Sequence, residues 1–361
     1  VSGMRKGTRV FDAIIIGAGF AGLAAARELG MLGHSVLMLE ARDRLGGRTW
    51  VDRRLGSDLE LGGTYVHWYQ PHVWNEITRY NLDIFEAPPP KKAYWITEGK
   101  LKSGPIEEVR AIVNESYERM MKTVPAIHPF RFVKEFSKEV DRLSILEFME
   151  QFAFTKEQKD LISSSMGINY HGPLEEGAAS QIFRWWAFSH GSRSTFTDMV
   201  GRFKIKGGTK ALVEAIASEI TAEVKFSSVV TSVKHINGQM TVETSDGNEY
   251  DAKTVIVTVP LSTLDKINFS PELSGRKQTF MKEKQVSRGV KVWATIKGEH
   301  EPFITYAPAG YPLQSIHYET QVNGDTIVVG FGADANRMDV TDREQVEEAI
   351  KRWLPDVEVL E

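Results

Sequence analysis

The sequence has no cysteine among its 361 residues. Disulfides, thiolate catalysis, cysteine-ligated zinc and a cofactor tethered through a cysteinyl thioether are therefore excluded. No apolar run reaches the roughly 18 residues that a membrane-spanning helix needs. The opening residues, Val1 to Val10, lack an apolar signal core and read as a short loose arm. Charge of one sign is not in excess either, with a formal net charge of −4, 42% apolar and 25% charged residues. That balance provides neither a nucleic-acid footprint nor a polybasic membrane face. His67 and His72 stand five apart without an acidic partner at ligand spacing, so no metal is assigned. Repeats, low-complexity tracts and a legible nucleophilic triad are also missing. A cytoplasmic enzyme fits these absences. The length points to about two domains with a large core.

What is present is concentrated between Phe11 and Glu40. Ile14, Ile15 and Ile16 form a β-branched run suited to a strand buried on both faces. Gly17, Gly19 and Gly22 follow as G-x-G-x-x-G around Phe20 and Ala21, and Leu23 to Leu32 read as an Ala-rich helix. Ser35 to Leu39 make a second apolar strand that ends on Glu40. This is a βαβ unit for a dinucleotide. Gly17 permits the tight turn, Gly19 lets backbone approach a pyrophosphate, and Gly22 packs helix on strand. The helix N-terminus offers N–H groups and a positive dipole end to phosphate. Glu40, 18 residues past Gly22, stands where a carboxylate hydrogen-bonds a ribose hydroxyl, and it disfavours the 2′-phosphate of NADP.

Two more glycine loops follow. Ala41 and Arg42 lead into Arg44-Leu45-Gly46-Gly47-Arg48, which suits a second loop over the pyrophosphate with guanidinium countercharge. Leu61-Gly62-Gly63-Thr64 then gives a place where backbone could pass close to a flat ring. Either loop alone reads equally well as a plain turn.

Taken together, GAGFAGL (17–23), EARDRLGGRTW (40–50) and LGGTYVHW (61–68) resemble the flavin-containing amine oxidases of the monoamine oxidase type. The likeness runs on through Gln70-Pro71-His72-Val73-Trp74 and Ile77-Thr78-Arg79-Tyr80 and covers most of the chain. It is particularly similar to fungal-type monoamine oxidases and to bacterial nicotine and 6-hydroxynicotine oxidases. The resemblance implies an α/β fold, with a Rossmann-like, discontinuous FAD-binding domain (1–85 plus 200–262) and an inserted α+β substrate-binding domain (86–199 plus 263–361). It implies FAD held by the three glycine loops, which the lack of cysteine makes noncovalent, and Val230 aligns with a family residue whose backbone contacts the adenine. Family members continue past the position of Glu361 with a segment carrying a last flavin contact and part of an aromatic cage. A sequence without that segment keeps an inactive flavin-binding module open as an alternative. A nicotinamide-dependent dehydrogenase would share the first βαβ unit without needing the second and third loops.

Local signals fill in the remainder. Pro88-Pro89-Pro90 breaks any element, and Ala93 to Leu101 read as a hairpin around Glu98-Gly99. Residues 106–165 are charged and helical in period, with capping boxes at Ser144-x-x-Glu147 and Thr155-x-x-Gln158. A helix is expected after Gly207-Gly208-Thr209. Strands are expected over Val224 to Ile236 and Gln239 to Thr244 about the Asn237-Gly238 turn, then over Thr254 to Val259. Strands at Val290 to Ile296 and Thr326 to Phe331 precede a helix opened by Thr341-x-x-Glu344.

Three residues are candidates for chemistry. Lys291 alternates with apolar neighbours in Gly289-Val290-Lys291-Val292-Trp293, so its amine faces opposite Val290 and Val292, where burial would lower its pKa. The resemblance gives the lysine here the task of holding a water against flavin N5. Asn169 and His190 match a substrate-contacting asparagine and an active-site histidine of the hydroxynicotine oxidase branch. A turn asparagine and a helix-capping histidine are the structural alternatives. Phe183, Trp185, Trp186 and Phe188 read as core or as an aromatic wall for an amine. The reaction implied is amine oxidation, with hydride passing from the α-carbon to flavin N5 and the imine hydrolysing afterwards. Simple amines and nicotine-type cyclic amines are both open as substrates. Oxygen or a protein accepts the electrons, and the assembly is open, with a homodimer among the options.

Overall fold

The computed structural model describes residues 9–131, 141–285 and 287–361. Most of the expected N-terminal arm falls on residues 1–8 and part of the expected helical stretch on 132–140, both outside the described residues.

The isoleucine run lies in the strand Val10–Ile16, where Ile14 and Ile15 have no exposed surface. It pairs in parallel with Val36–Leu39 on one side and Glu249–Val257 on the other. Parallel neighbours need a crossover, and the helix Phe20–Met31 supplies it. In spatial order the first sheet runs Asn268–Ser270, Val230–Ile236, Gln239–Thr244, Glu249–Val257, Val10–Ile16, Val36–Leu39, Glu223–Lys225. Asn237 and Gly238 both take positive φ, which matches the twist of the hairpin they close. The last-named strand corrects the sequence reading, because Val224 to Ile236 is not one strand. The chain turns at Ser227 (φ 52°), where Ser227 N–H donates to Arg42 O and Ser228 N–H to Glu40 O. That detour carries the backbone past the end of the second strand before Val230 begins a new one.

The second sheet runs Val290–Ile296, Asp325–Gly332, Ser315–Val322, Phe303–Tyr306, Lys92–Thr97, Lys100–Pro105. One face packs on the helices Ile106–Met121, Ile145–Glu150, Lys156–Tyr170 and Ala179–Phe188, around Trp95, Tyr117, Leu161 and Phe183. Both expected capping boxes are formed, at Ser144/Glu147 and Thr155/Gln158. The C-terminal helix Arg343–Lys351 covers the other core through Val346, Ile350 and the following Trp353. Its cap differs from expectation. Asp342 accepts the N–H groups of Glu344 and Gln345, and Thr341 instead bonds Asp339, since the carboxylate is the stronger acceptor one position along.

A small ribbon joins the two sheets. Ile84–Glu86 pairs with Phe203–Ile205, and Tyr65 bridges Lys204. This brings the loop 61–64 alongside the strand that carries Lys291. Among the described residues, no helix is long and apolar enough to cross a membrane.

Candidate functional site

The first glycine turn is shaped as the motif requires. Gly17 sits at φ 101°, and a Cβ on Gly22 would stand 2.0 Å from the Gly17 carbonyl oxygen. A Cβ on Gly19 would meet only the Gly47 Cα, at 3.8 Å, so the space beside Gly19 is open. It is also the N-cap of the helix Phe20–Met31, with no side-chain cap and no acidic residue in the first turn. The N–H groups of Phe20, Ala21 and Gly22 therefore begin a positive helix end that no side chain caps and no acidic residue of its own first turn offsets.

The second loop folds over the first. Gly19 bridges Gly46, and Gly46 N–H donates to Ala18 O at 2.9 Å. The Arg44 guanidinium holds this loop through the carbonyls of Leu45, Gly47 and Thr49 and stacks on Trp50. Arg42 reaches Gly47 O, and Arg48 is exposed. Ala41 follows Glu40 on the surface. The buried Glu40 carboxylate accepts Ala18 N–H at 2.7 Å and Arg42 N–H at 2.9 Å. Two of its four lone-pair positions stay available for ribose hydroxyls. Val230 is buried at the start of its strand, two residues beyond the Ser228 that is tied to Glu40.

The third loop lies against the second. Leu61 N–H donates to Trp50 O and Gly63 N–H to Arg48 O, while a Cβ on Gly62 would meet Arg48 O at 2.1 Å. Lys291 is seated on this loop. Its Nζ donates to Glu60 O at 3.0 Å, Gly62 O at 2.6 Å and Thr64 Oγ1 at 2.9 Å, between the rings of Trp293 and Phe331. Burial lowers its pKa to about 8, against the opposing pull of Glu60 and Glu319. The sequence thus placed Lys291 and the three loops without showing that they touch.

The second and third glycine loops and the buried lysine lie inside a longer match, which opens within the first loop. Residues 20–358 match the flavin containing amine oxidoreductase family. The chain belongs to that family. Among relatives, a pseudooxynicotine dehydrogenase from Pseudomonas sp. is 37% identical over 97% of this chain and 72% of its own length. The nicotine dehydrogenase of Pseudomonas putida is 33% identical over 98% of this chain and 75% of its own. Wild-type putrescine oxidase bound to putrescine has the same fold, with a TM-score of 0.76 at 22% identity over 96% of this chain and 82% of that one.

The flavin oxidoreductase carries FAD, and the loops fit it. The open cradle at Gly19, the uncapped helix end and the spare acceptor positions of Glu40 suit a pyrophosphate followed by a ribose.

Two other candidates lie elsewhere. Asn169 Nδ2 donates to Ser165 O, one turn back in its own helix. Two residues on, His171 takes the left-handed conformation and packs on Gly289, whose added Cβ would lie 2.9 Å from the His171 Cβ. Asn169 is thus at the helix end that abuts the Lys291 strand. His190 lines a cleft of about 800 Å³ with Trp68, Tyr69, Phe130, Trp186 and Phe188. Its ring lies 4.8 Å from that of Tyr69. Phe183 divides its role between core and cleft, whereas Trp185 is partly exposed and meets the buried Phe196 edge to face, outside the cleft lining.

Four features escaped the sequence reading. Lys204, buried between Phe203 and Ile205, pairs with Glu319 through both carboxylate oxygens. Burial holds the Glu60 carboxyl above its usual range, although Thr209 donates to both of its oxygens. Burial beside Lys204 and Lys291 brings His317 down to about 4, so its imidazole is neutral. The Arg44 clamp is the fourth. A charged residue alternating inside a short apolar strand is the signal that could have marked Lys204.

Proposed function

We propose that the oxidised substrate is a nicotine-type amine, meaning a secondary or cyclic amine in a molecule that also carries an aromatic ring, and that Lys291, Asn169 and His190 serve it. The observation that carries the reading is the seat of Lys291 on the carbonyls of Glu60 and Gly62, where the glycine loops meet the second sheet. When bound, FAD takes up the electron pair lost from the amine α-carbon.

The chain's own residues bind, orient and protect. The aromatic cleft around Trp68, Trp186 and Phe188 offers ring faces to a cation. His190 and Asn169 orient polar groups on the substrate. The Lys291 amine is fixed by Glu60 O, Gly62 O and Thr64 Oγ1 where the glycine loops meet the second sheet, and its low pKa limits repulsion of an arriving ammonium. The relatives named for nicotine and pseudooxynicotine support this substrate class over simple primary amines. The same reading assigns residues 1–85 and 200–262 to cofactor binding and 86–199 and 263–361 to substrate binding. The strand Asn268–Ser270 departs from that division, since it pairs at the edge of the first sheet and so goes with the cofactor part. The reading also puts the enzyme in the cytoplasm, as a homodimer with oxygen or a protein as electron acceptor.

The test is an absorption spectrum of the purified protein followed by anaerobic titration with primary and cyclic amines. Bleaching of a flavin band by cyclic aryl amines at lower concentration than by primary amines supports the reading. Bleaching by primary amines alone moves the substrate class, and a band that no amine bleaches identifies an inactive flavin binder.

A further inference from the structure

We infer that Thr64 is the positioning residue that lets Lys291 gain or lose a proton without leaving its seat, an inference that rests on Lys291 acting at the reacting centre. Counting protons leads to it. An ammonium has three N–H donors and no lone pair, whereas a neutral amine has two donors and one lone pair. Lys291 Nζ has three partners, at 3.0, 2.6 and 2.9 Å. Two of them, the carbonyls of Glu60 and Gly62, only accept. The third, the Thr64 hydroxyl, can do either, and it lies 3.2 Å from the same Gly62 oxygen.

With Lys291 charged, its third N–H goes to Thr64 Oγ1 and the hydroxyl proton rests on Gly62 O. With Lys291 neutral, the hydroxyl turns its proton onto the nitrogen lone pair, and both carbonyls keep their N–H donors. Rotation about one Cβ–Oγ1 bond separates the two states, and every partner is used in both. Without the hydroxyl, a buried ammonium is one acceptor short, which is the costlier loss.

Several charged or titratable groups face Lys291. They are Glu60 from Ser57–Glu60, Lys204 from Phe203–Ile205, His317 and Glu319 from Ser315–Val322, and His171 at the end of Lys156–Tyr170. Burial keeps both histidines below their usual pKa. The balance therefore lies between two carboxyl groups and Lys204, and none of these is the direct partner that Thr64 is. The lowered pKa of Lys291 puts both protonation states within reach near neutral pH.

The experiment is an NMR titration of the FAD-loaded protein carrying ¹³C/¹⁵N-labelled lysine, without substrate, from neutral to alkaline pH. The Lys291 resonance is the one missing from the Lys291→Met variant. Thr64→Val should lower the Lys291 pKa by about one unit, because the cation loses a stronger bond than the amine does. Thr64→Ser should restore the parent value. The inference is overturned if Thr64→Val titrates with the parent, or if Thr64→Ser shifts as far as Thr64→Val. Should the valine variant not fold, Thr64→Ala is read by the same two criteria. A protein that oxidises no amine still gives this titration, so failure of the functional reading and failure of the Thr64 assignment are told apart.

Discussion

Lys204 and Glu319 join the two halves of the site, with Nζ 2.6 and 2.7 Å from the two carboxylate oxygens. The lysine comes from Phe203–Ile205 and the glutamate from a bulge in Ser315–Val322. A buried pair of this kind is weak evidence of net stabilisation, because desolvating both charges offsets their attraction. Breaking it is different. Glu319→Gln should destabilise the protein by about 3 kcal/mol, while Lys204→Met combined with Glu319→Leu recovers most of that loss. Thermal melting of the three proteins decides the matter, and equal melting of the single and double variants would contradict it. Since Glu319 helps to hold a proton on Lys291, Glu319→Gln should also move the Lys291 titration downward.

The glycine turn gives a second test. A methyl on Gly22 collides with the Gly17 carbonyl oxygen at 2.0 Å, so Gly22→Ala should yield colourless protein without bound FAD. Gly33 has φ 79° but nothing within 4 Å of an added Cβ. Gly33→Ala should therefore cost only about 1–2 kcal/mol of left-handed strain and leave the protein yellow. A yellow Gly22→Ala protein would remove this turn from the cofactor site.

These contrasts show how much was legible in the residues. Ile14 to Ile16, the glycine spacing and the Asn237-Gly238 turn are local signals, and each formed the element expected of it. Ser144 and Thr155 capped as read because their box partners lie three residues on. Thr341 failed since Asp342, one position later, is the better acceptor. The strand from Val224 was overdrawn because Ser227 turns the chain to meet Glu40 and Arg42, a long-range demand that no window of sequence contains. The site was readable as separate loops. The partners of Lys291 come from residues about 230 positions away, and the Lys204–Glu319 pair spans 115, so neither was visible locally.

The aromatic cleft supplies a binding test. Trp186→Ala should weaken amine binding roughly tenfold, the loss of about 1–2 kcal/mol expected for a cation over an indole. The limiting rate of flavin reduction should change by less than about threefold, since uniform binding is what the ring provides. Rapid-mixing titrations separate the two quantities. A lowered rate with unchanged binding would move Trp186 from the cleft wall to the reacting centre.

The most direct measurement is anaerobic flavin reduction by a cyclic aryl amine, followed across pH in the parent enzyme and in Lys291→Met. Lys291 has a folded pKa of about 8, so its neutral fraction grows as pH rises through that value, and repulsion of the substrate cation falls with it. The parent rate should rise through an inflection near 8 that belongs to the enzyme. Lys291→Met should lack that inflection and be slower in reduction or reoxidation by at least about a hundredfold. Equal rates with the same pH profile in both proteins would contradict the central claim that Lys291, seated on the glycine loops, serves the oxidation of the amine.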